Sequence, residues 1–122
     1  MHGEISWQVE LSIEPEQLGA FRLLTSQMIQ STRLEQGVLV YERFLSEDHG
    51  KVFVYERYSD SEAAIAHLHV FREKFGKAFS RLAQRDRFLV FGRPNQQLRQ
   101  ILSGFGAEFL SPMGGFSAAT TA

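Results

Sequence analysis

The chain has 122 residues, of which 43% are hydrophobic and 22% charged; that is the length of one domain and the composition of a packed core, which excludes a disordered chain. Thirteen Lys and Arg against fourteen Asp and Glu leave a formal charge of -1, so no broad basic field is available to hold nucleic acid. The absence of cysteine excludes disulfides, thiolate nucleophiles and cysteine metal sites; residues 1–10 lack the pattern of a signal peptide, and no apolar run approaches the roughly 20 residues of a membrane span. A soluble, cytoplasmic protein with no membrane partner is the expectation.

Ile5, Trp7, Val9, Leu11 and Ile13 alternate with polar residues, which predicts a first strand with one dry face. Pro15 suits the first turn of a helix, and Leu18, Phe21, Leu24, Met28 and Ile29 recur at helical spacing. This predicts a helix over about 16–35, closed by Gly37. Residues 38–45 and 52–58 are rich in β-branched and aromatic side chains and flank Ser46-Glu47-Asp48-His49-Gly50, a hairpin signal. Simple alternation puts Val38, Val40 and Phe44 on one side of the sheet and Leu39, Tyr41 and Leu45 on the other, so both faces need cover.

Ser59-Asp60-Ser61-Glu62 offers N-cap residues for a second helix, whose buried stripe is Ala64, Leu68, Phe71, Phe75, Phe79 and Leu82, with Gly76 as a point of division. A fourth strand is expected at about 88–93, with Phe88 and Val90 on one face and Leu89 and Phe91 on the other. A short helix at 96–102 and a glycine-punctuated aromatic tail at 104–116 follow, with a frayed end over 117–122.

The order predicts an α+β, ferredoxin-like β-α-β-β-α-β domain over residues 1–95 with a four-stranded antiparallel sheet. Residues 96–122 form a C-terminal helix and tail that pack on the same domain or on a partner subunit. Two helices cover one sheet face, and a second copy of the chain is the economical cover for the other, so a homodimer is expected.

The stretch Gly37-Val38-Leu39-Val40-Tyr41-Glu42, then Val54-Tyr55-Glu56-Arg57-Tyr58, then Ala66-His67-Leu68 resembles the antibiotic biosynthesis monooxygenase domain family, over roughly residues 5–93. The resemblance implies a dimeric α/β barrel in which two sheets pack face to face, with an apolar pocket between sheet and helices. It also implies oxidation of electron-rich aromatic compounds such as quinols by dioxygen without a bound cofactor, while relatives degrade haem. Tyr58 stands where a Trp is usual in the family, and Arg72 about where many members carry a second His.

His67 is the family-matched polar residue near the implied pocket, and a neutral imidazole there is a candidate base for a phenolic proton; a histidine that merely hydrogen-bonds to a neighbouring strand is the competing reading. Trp7, Tyr41, Tyr55 and Tyr58 are candidates to present rings and hydroxyls to an aromatic substrate, against the plainer role of core packing. His69 lies about 200° from His67 around a helix, too far to share a metal. Glu42 and Glu56 sit in apolar strands and need partners such as Arg43, Arg57 or Arg93, while Phe71, Phe75 and Phe79 read as core. No nucleotide fingerprint, nucleophile elbow or metal-binding pair occurs. The expected class is a cofactor-free monooxygenase of a small aromatic substrate; a non-enzymatic dimer that binds an aromatic metabolite, or a haem-binding relative with His67 as axial ligand, are the alternatives.

Overall fold

Alternation in the first strand organises the sheet. In the computed structural model, which describes residues 3–118, strand β1 (Ile5–Ser12) buries Ile5, Trp7, Val9 and Leu11 on one face. It pairs antiparallel with both β3 (Lys51–Tyr58) and β4 (Gln84–Phe91). Strand β2 (Val38–Leu45) pairs antiparallel outside β3, and a short β5 (Glu108–Leu110) pairs parallel outside β4, giving the order β2-β3-β1-β4-β5. The first four strands make the expected ferredoxin-like sheet; the fifth, which three residues flanked by glycine turns do not announce, corrects the count of four.

Helices α1 (Leu18–Thr32), α2 (Ser61–Lys74), α3 (Gly76–Leu82) and α4 (Gln96–Ser103) complete the fold. Pro15 opens a 3₁₀ turn at Pro15–Gln17 that leads into α1, because its fixed φ suits a helix start. Asp60 caps α2, its carboxylate accepting from the Ala63 N–H at 2.8 Å, as the capping residues implied. The second helix divides at Phe75, giving α2 and α3. Asn95 caps α4 in the same way at 2.9 Å. That two-turn helix would be marginal alone, but Leu98 and Leu102 are fully buried and dock it with about 1.5–3 kcal/mol each.

Two bulges decide which side chains reach the helix-covered face. In β2 the register shifts between Val38 and Val40: Val38 lies opposite Tyr58 and Val40 opposite Arg57. Val38 therefore joins Tyr41 and Leu45 on the helix side, not Val40 and Phe44 as simple alternation had it, because an extra residue inverts the parity. In β4 the shift falls opposite Glu10 and Leu11: Arg87 lies opposite Glu10, but Arg85 lies opposite Leu11. The odd residue, Asp86, turns out to accept from Ser12 Oγ at 2.5 Å and from Lys51 Nζ at 2.9 Å. β4 begins at Gln84 rather than near Phe88: its first residues are polar and exposed and carry no apolar pattern, being held by ladder pairing and those polar links rather than by burial.

The opposite face of the sheet carries Val40, Phe44, Phe53, Tyr55, Leu89 and Phe91, none of them fully buried, with Phe44 56% exposed. No helix among the described residues is long and apolar enough to cross a membrane. The end of the tail that was expected to fray, residues 119–122, lies outside the described residues.

Candidate active site

Strand register brings the polar cluster together. Across the β1–β3 pair Trp7 lies opposite Glu56, and across the β2–β3 pair Tyr41 lies opposite Glu56. Tyr58 and Arg43 follow two residues along their strands, so all five project to the helix side. His67 comes down from α2, and Glu35 reaches in from the turn between α1 and β2. Gly37 closes that turn at φ 81°, where a Cβ would lie 2.6 Å from the Ala63 Cβ, so only glycine lets the turn sit against α2.

Glu56 is 5% exposed, and a carboxylate at that depth stays charged only with partners. It has three: the Trp7 indole N–H donates to Oε1 at 2.9 Å, the Tyr58 hydroxyl donates to the same oxygen at 2.5 Å, and Arg43 Nη2 donates to Oε2 at 2.7 Å. Burial pushes the Glu56 carboxyl up, but the Arg43 charge, the His67 ring when protonated, and the hydrogen bonds from Tyr58 and Arg43 outweigh it and hold the group below its ordinary value. Burial and the Glu56 charge push Tyr58 well up. Burial raises Tyr41 to about 12 against the pull of Arg43, whose guanidinium stacks 3.7 Å above the Tyr41 ring. Both phenols stay protonated at neutral pH and are not bases.

His67 packs beside these phenols. It is 4% exposed and sits with its ring against Tyr41, edge to face at 5.6 Å, and Tyr58 at 5.4 Å. Its Nδ1 is 2.9 Å from Glu35 Oε1. A carboxylate only accepts, so that nitrogen carries the hydrogen, and in the neutral ring the lone pair lies on Nε2. Nε2 is 3.7 Å from Glu56 Oε1, on the side of the cavity.

That cavity, about 60 Å³, lies between sheet and helices and is lined by Trp7, Glu56, His67, Leu68, Phe71 and Phe88 among others. At roughly 10–15 Å³ of such volume per water it holds about four to six water-sized groups. Dioxygen or the leading edge of one ring fits; a fused polycycle enters only if the phenylalanines at the mouth move.

Of the residues singled out from sequence, Trp7 and His67 line the cavity. Tyr58 stands behind Trp7, ring centroids 4.7 Å apart, fully buried with its hydroxyl committed to Glu56. Tyr41 borders a shallower recess on the Glu35 side of the imidazole, its hydroxyl buried without a well-formed hydrogen bond, although Thr32 acts on it weakly. Tyr55 is a correction: odd positions of β3 point to the opposite face, where Arg57 donates to its hydroxyl at 2.9 Å. Glu42 is also on that face and exposed, so of the two strand carboxylates Glu56 alone needed a buried partner. Phe71 and Phe79, read as core, are half-buried and line the cavity. Glu35 carried no signal: it lies in a loop and meets His67 across 32 residues of sequence. Among the described residues no three His, Asp or Glu side chains are grouped to hold a metal ion.

A ferredoxin-like sheet thus carries, on its helix-covered side, a carboxylate–imidazole pair beside an apolar cavity. The profile of the family described as antibiotic biosynthesis monooxygenase matches residues 5–78, and the chain belongs to that family. MupZ from Pseudomonas fluorescens is a structural neighbour at 25% identity and TM-score 0.85, with 98% of each chain covered, so the likeness includes the C-terminal helix and β5. A variant of SnoaB, a cofactor-independent oxygenase from Streptomyces nogalater, is similar in fold at 12% identity and TM-score 0.65, over 75% of this chain and 93% of that one. No curated protein matches the chain by sequence.

Proposed function

We propose that the protein is a cofactor-independent monooxygenase of a small electron-rich aromatic compound, a quinol or phenol, and that it works as a homodimer. The observation that carries the reading is the Glu35–His67 pair at the wall of an apolar cavity; family membership and the fold shared with an oxygenase support it. His67 Nε2 takes the substrate's acidic proton, and Glu35 holds the tautomer and stabilises the imidazolium that forms. The substrate anion, desolvated against Trp7 and Phe88, gives an electron to dioxygen. Recombination forms a C–O bond to a hydroperoxide, which loses water, so that SH₂ + O₂ gives S=O + H₂O. The substrate supplies the electrons, and the protein supplies orientation, desolvation and one base. The second copy covers the apolar sheet face of Phe44, Phe53 and Phe91.

A porphyrin does not fit a cavity of about 60 Å³, which leaves His67 as a haem ligand without support. The test is turnover of a hydroquinone panel by His67→Gln and Glu35→Gln variants. The expected result is a loss of kcat of about 10²–10⁴ for the first and a smaller loss for the second. Unchanged turnover in His67→Gln removes the base from the scheme, and tight binding without turnover in the parent protein favours a binding module.

A further inference from the structure

The mouth of the cavity is basic in a chain that is not. Phe71, Phe79 and Phe105 border the cavity and also a groove on the surface outside it, and Arg85 lies on both as well. The groove adds Arg72, Lys77 and Arg81 and contains no acidic residue. None of the four cations makes an ion pair or a side-chain hydrogen bond among the described residues.

Arg85 is there because of the β4 bulge. In a regular strand it would share the face of Arg87, on the far side of the sheet; the extra residue at Asp86 sets it opposite Leu11 instead. A bulge that re-aims one side chain into a cavity mouth is a recurrent device beside binding sites. The guanidinium lies 4.9 Å from the Phe105 ring centroid, so it is braced by an aromatic face and has its donors free. Its side chain remains exposed to solvent, within reach of an incoming anion.

The geometry points to an anionic substrate: its carboxylate or phosphate docks on Arg85, with Arg72, Lys77 and Arg81 around it, while the apolar ring passes between the phenylalanines toward His67. Planar oxyanions match the guanidinium fork, and three further cations raise the local concentration of anions. This inference rests on the cavity being the substrate site of the proposed oxygenase, and it adds the charge class of the substrate.

Trp7 is the single tryptophan of the chain and lines the cavity, so its indole N–H resonance reports occupancy. The experiment is an anaerobic NMR titration of the intact protein with hydroquinone, 2,5-dihydroxybenzoate and 4-hydroxyphenyl phosphate, at low and high salt. At least one anion is expected to bind about tenfold tighter than hydroquinone at low salt, an advantage that shrinks as salt screens the exposed cations. Arg85→Gln is expected to remove most of that advantage, and Arg81→Gln part of it, with the anion weakened far more than hydroquinone in both. The preferred anion tells a carboxylated substrate from a phosphorylated one. Equal binding of neutral and anionic rings, a preference that survives Arg85→Gln, or no shift of the Trp7 resonance with any ligand would overturn the inference. Because no oxygen is present, binding is read apart from turnover: a protein that prefers the anion but never consumes oxygen contradicts the oxygenase alone.

Discussion

The two faces of one sheet solve opposite problems. The helix-covered face is buried except at the cavity mouth, yet at its centre it holds Glu56 with three donors and His67 with Glu35; the opposite face is apolar, with Phe44 56% exposed. A buried ion pair is seldom worth more to stability than an apolar pair of the same shape, so the charges inside are better understood as placing an imidazole. In the proposed homodimer the phenylalanines outside would meet the second subunit. Position along a strand, odd or even, is what separates the two tasks.

The largest expected effect comes from breaking the inner cluster. Glu56→Leu leaves Arg43 charged and unpaired and orphans the Trp7 and Tyr58 donors, and urea unfolding should show a loss of about 3–5 kcal/mol. On the outer face, Phe53→Glu should leave the far-UV circular dichroism of the fold intact and shift sedimentation from dimer to monomer. A dimer that survives would assign the interface elsewhere.

The two faces should also differ in acid. The Glu56 carboxyl titrates below its ordinary value of 4.5 when folded, so its contribution is fully present above that range and is lost as pH falls through the folded value. Stability of the parent should therefore drop more steeply than that of Glu56→Gln below about pH 4.5. The smallest effect belongs to Arg87→Gln: its pairing with Glu108 at 3.1 Å is exposed, and no change in melting temperature is expected.

Much of this division was legible in the sequence. The period of two in β1, the paired apolar strands and the Asp60 cap fix the four antiparallel strands and the helices, and the Ala-His-Leu run marks His67. Three things were not legible, for physical reasons. A bulge is one extra residue whose only trace is in the partner strand, so the face of Val38 followed the wrong parity and the bulge that turns Arg85 left no sign. β5 and the start of β4 are held by ladder pairing and not by burial, which leaves no apolar pattern. The Glu35–His67 contact is made by a turn that the helical pattern, read to about residue 35, takes in as the end of the first helix, whereas α1 stops at Thr32. Tyr55, by contrast, was misplaced although the alternation of β3 already set it opposite to Glu56 and Tyr58.

The most direct measurement is oxygen consumption by purified, metal-stripped protein with hydroquinones, hydroxynaphthalenes and their carboxylated forms under ¹⁸O₂, with product mass recorded. The account predicts protein-dependent uptake and one labelled oxygen atom in the product, with both lost in His67→Gln. No uptake across the panel by folded, dimeric protein, or uptake without label in the product, would contradict it.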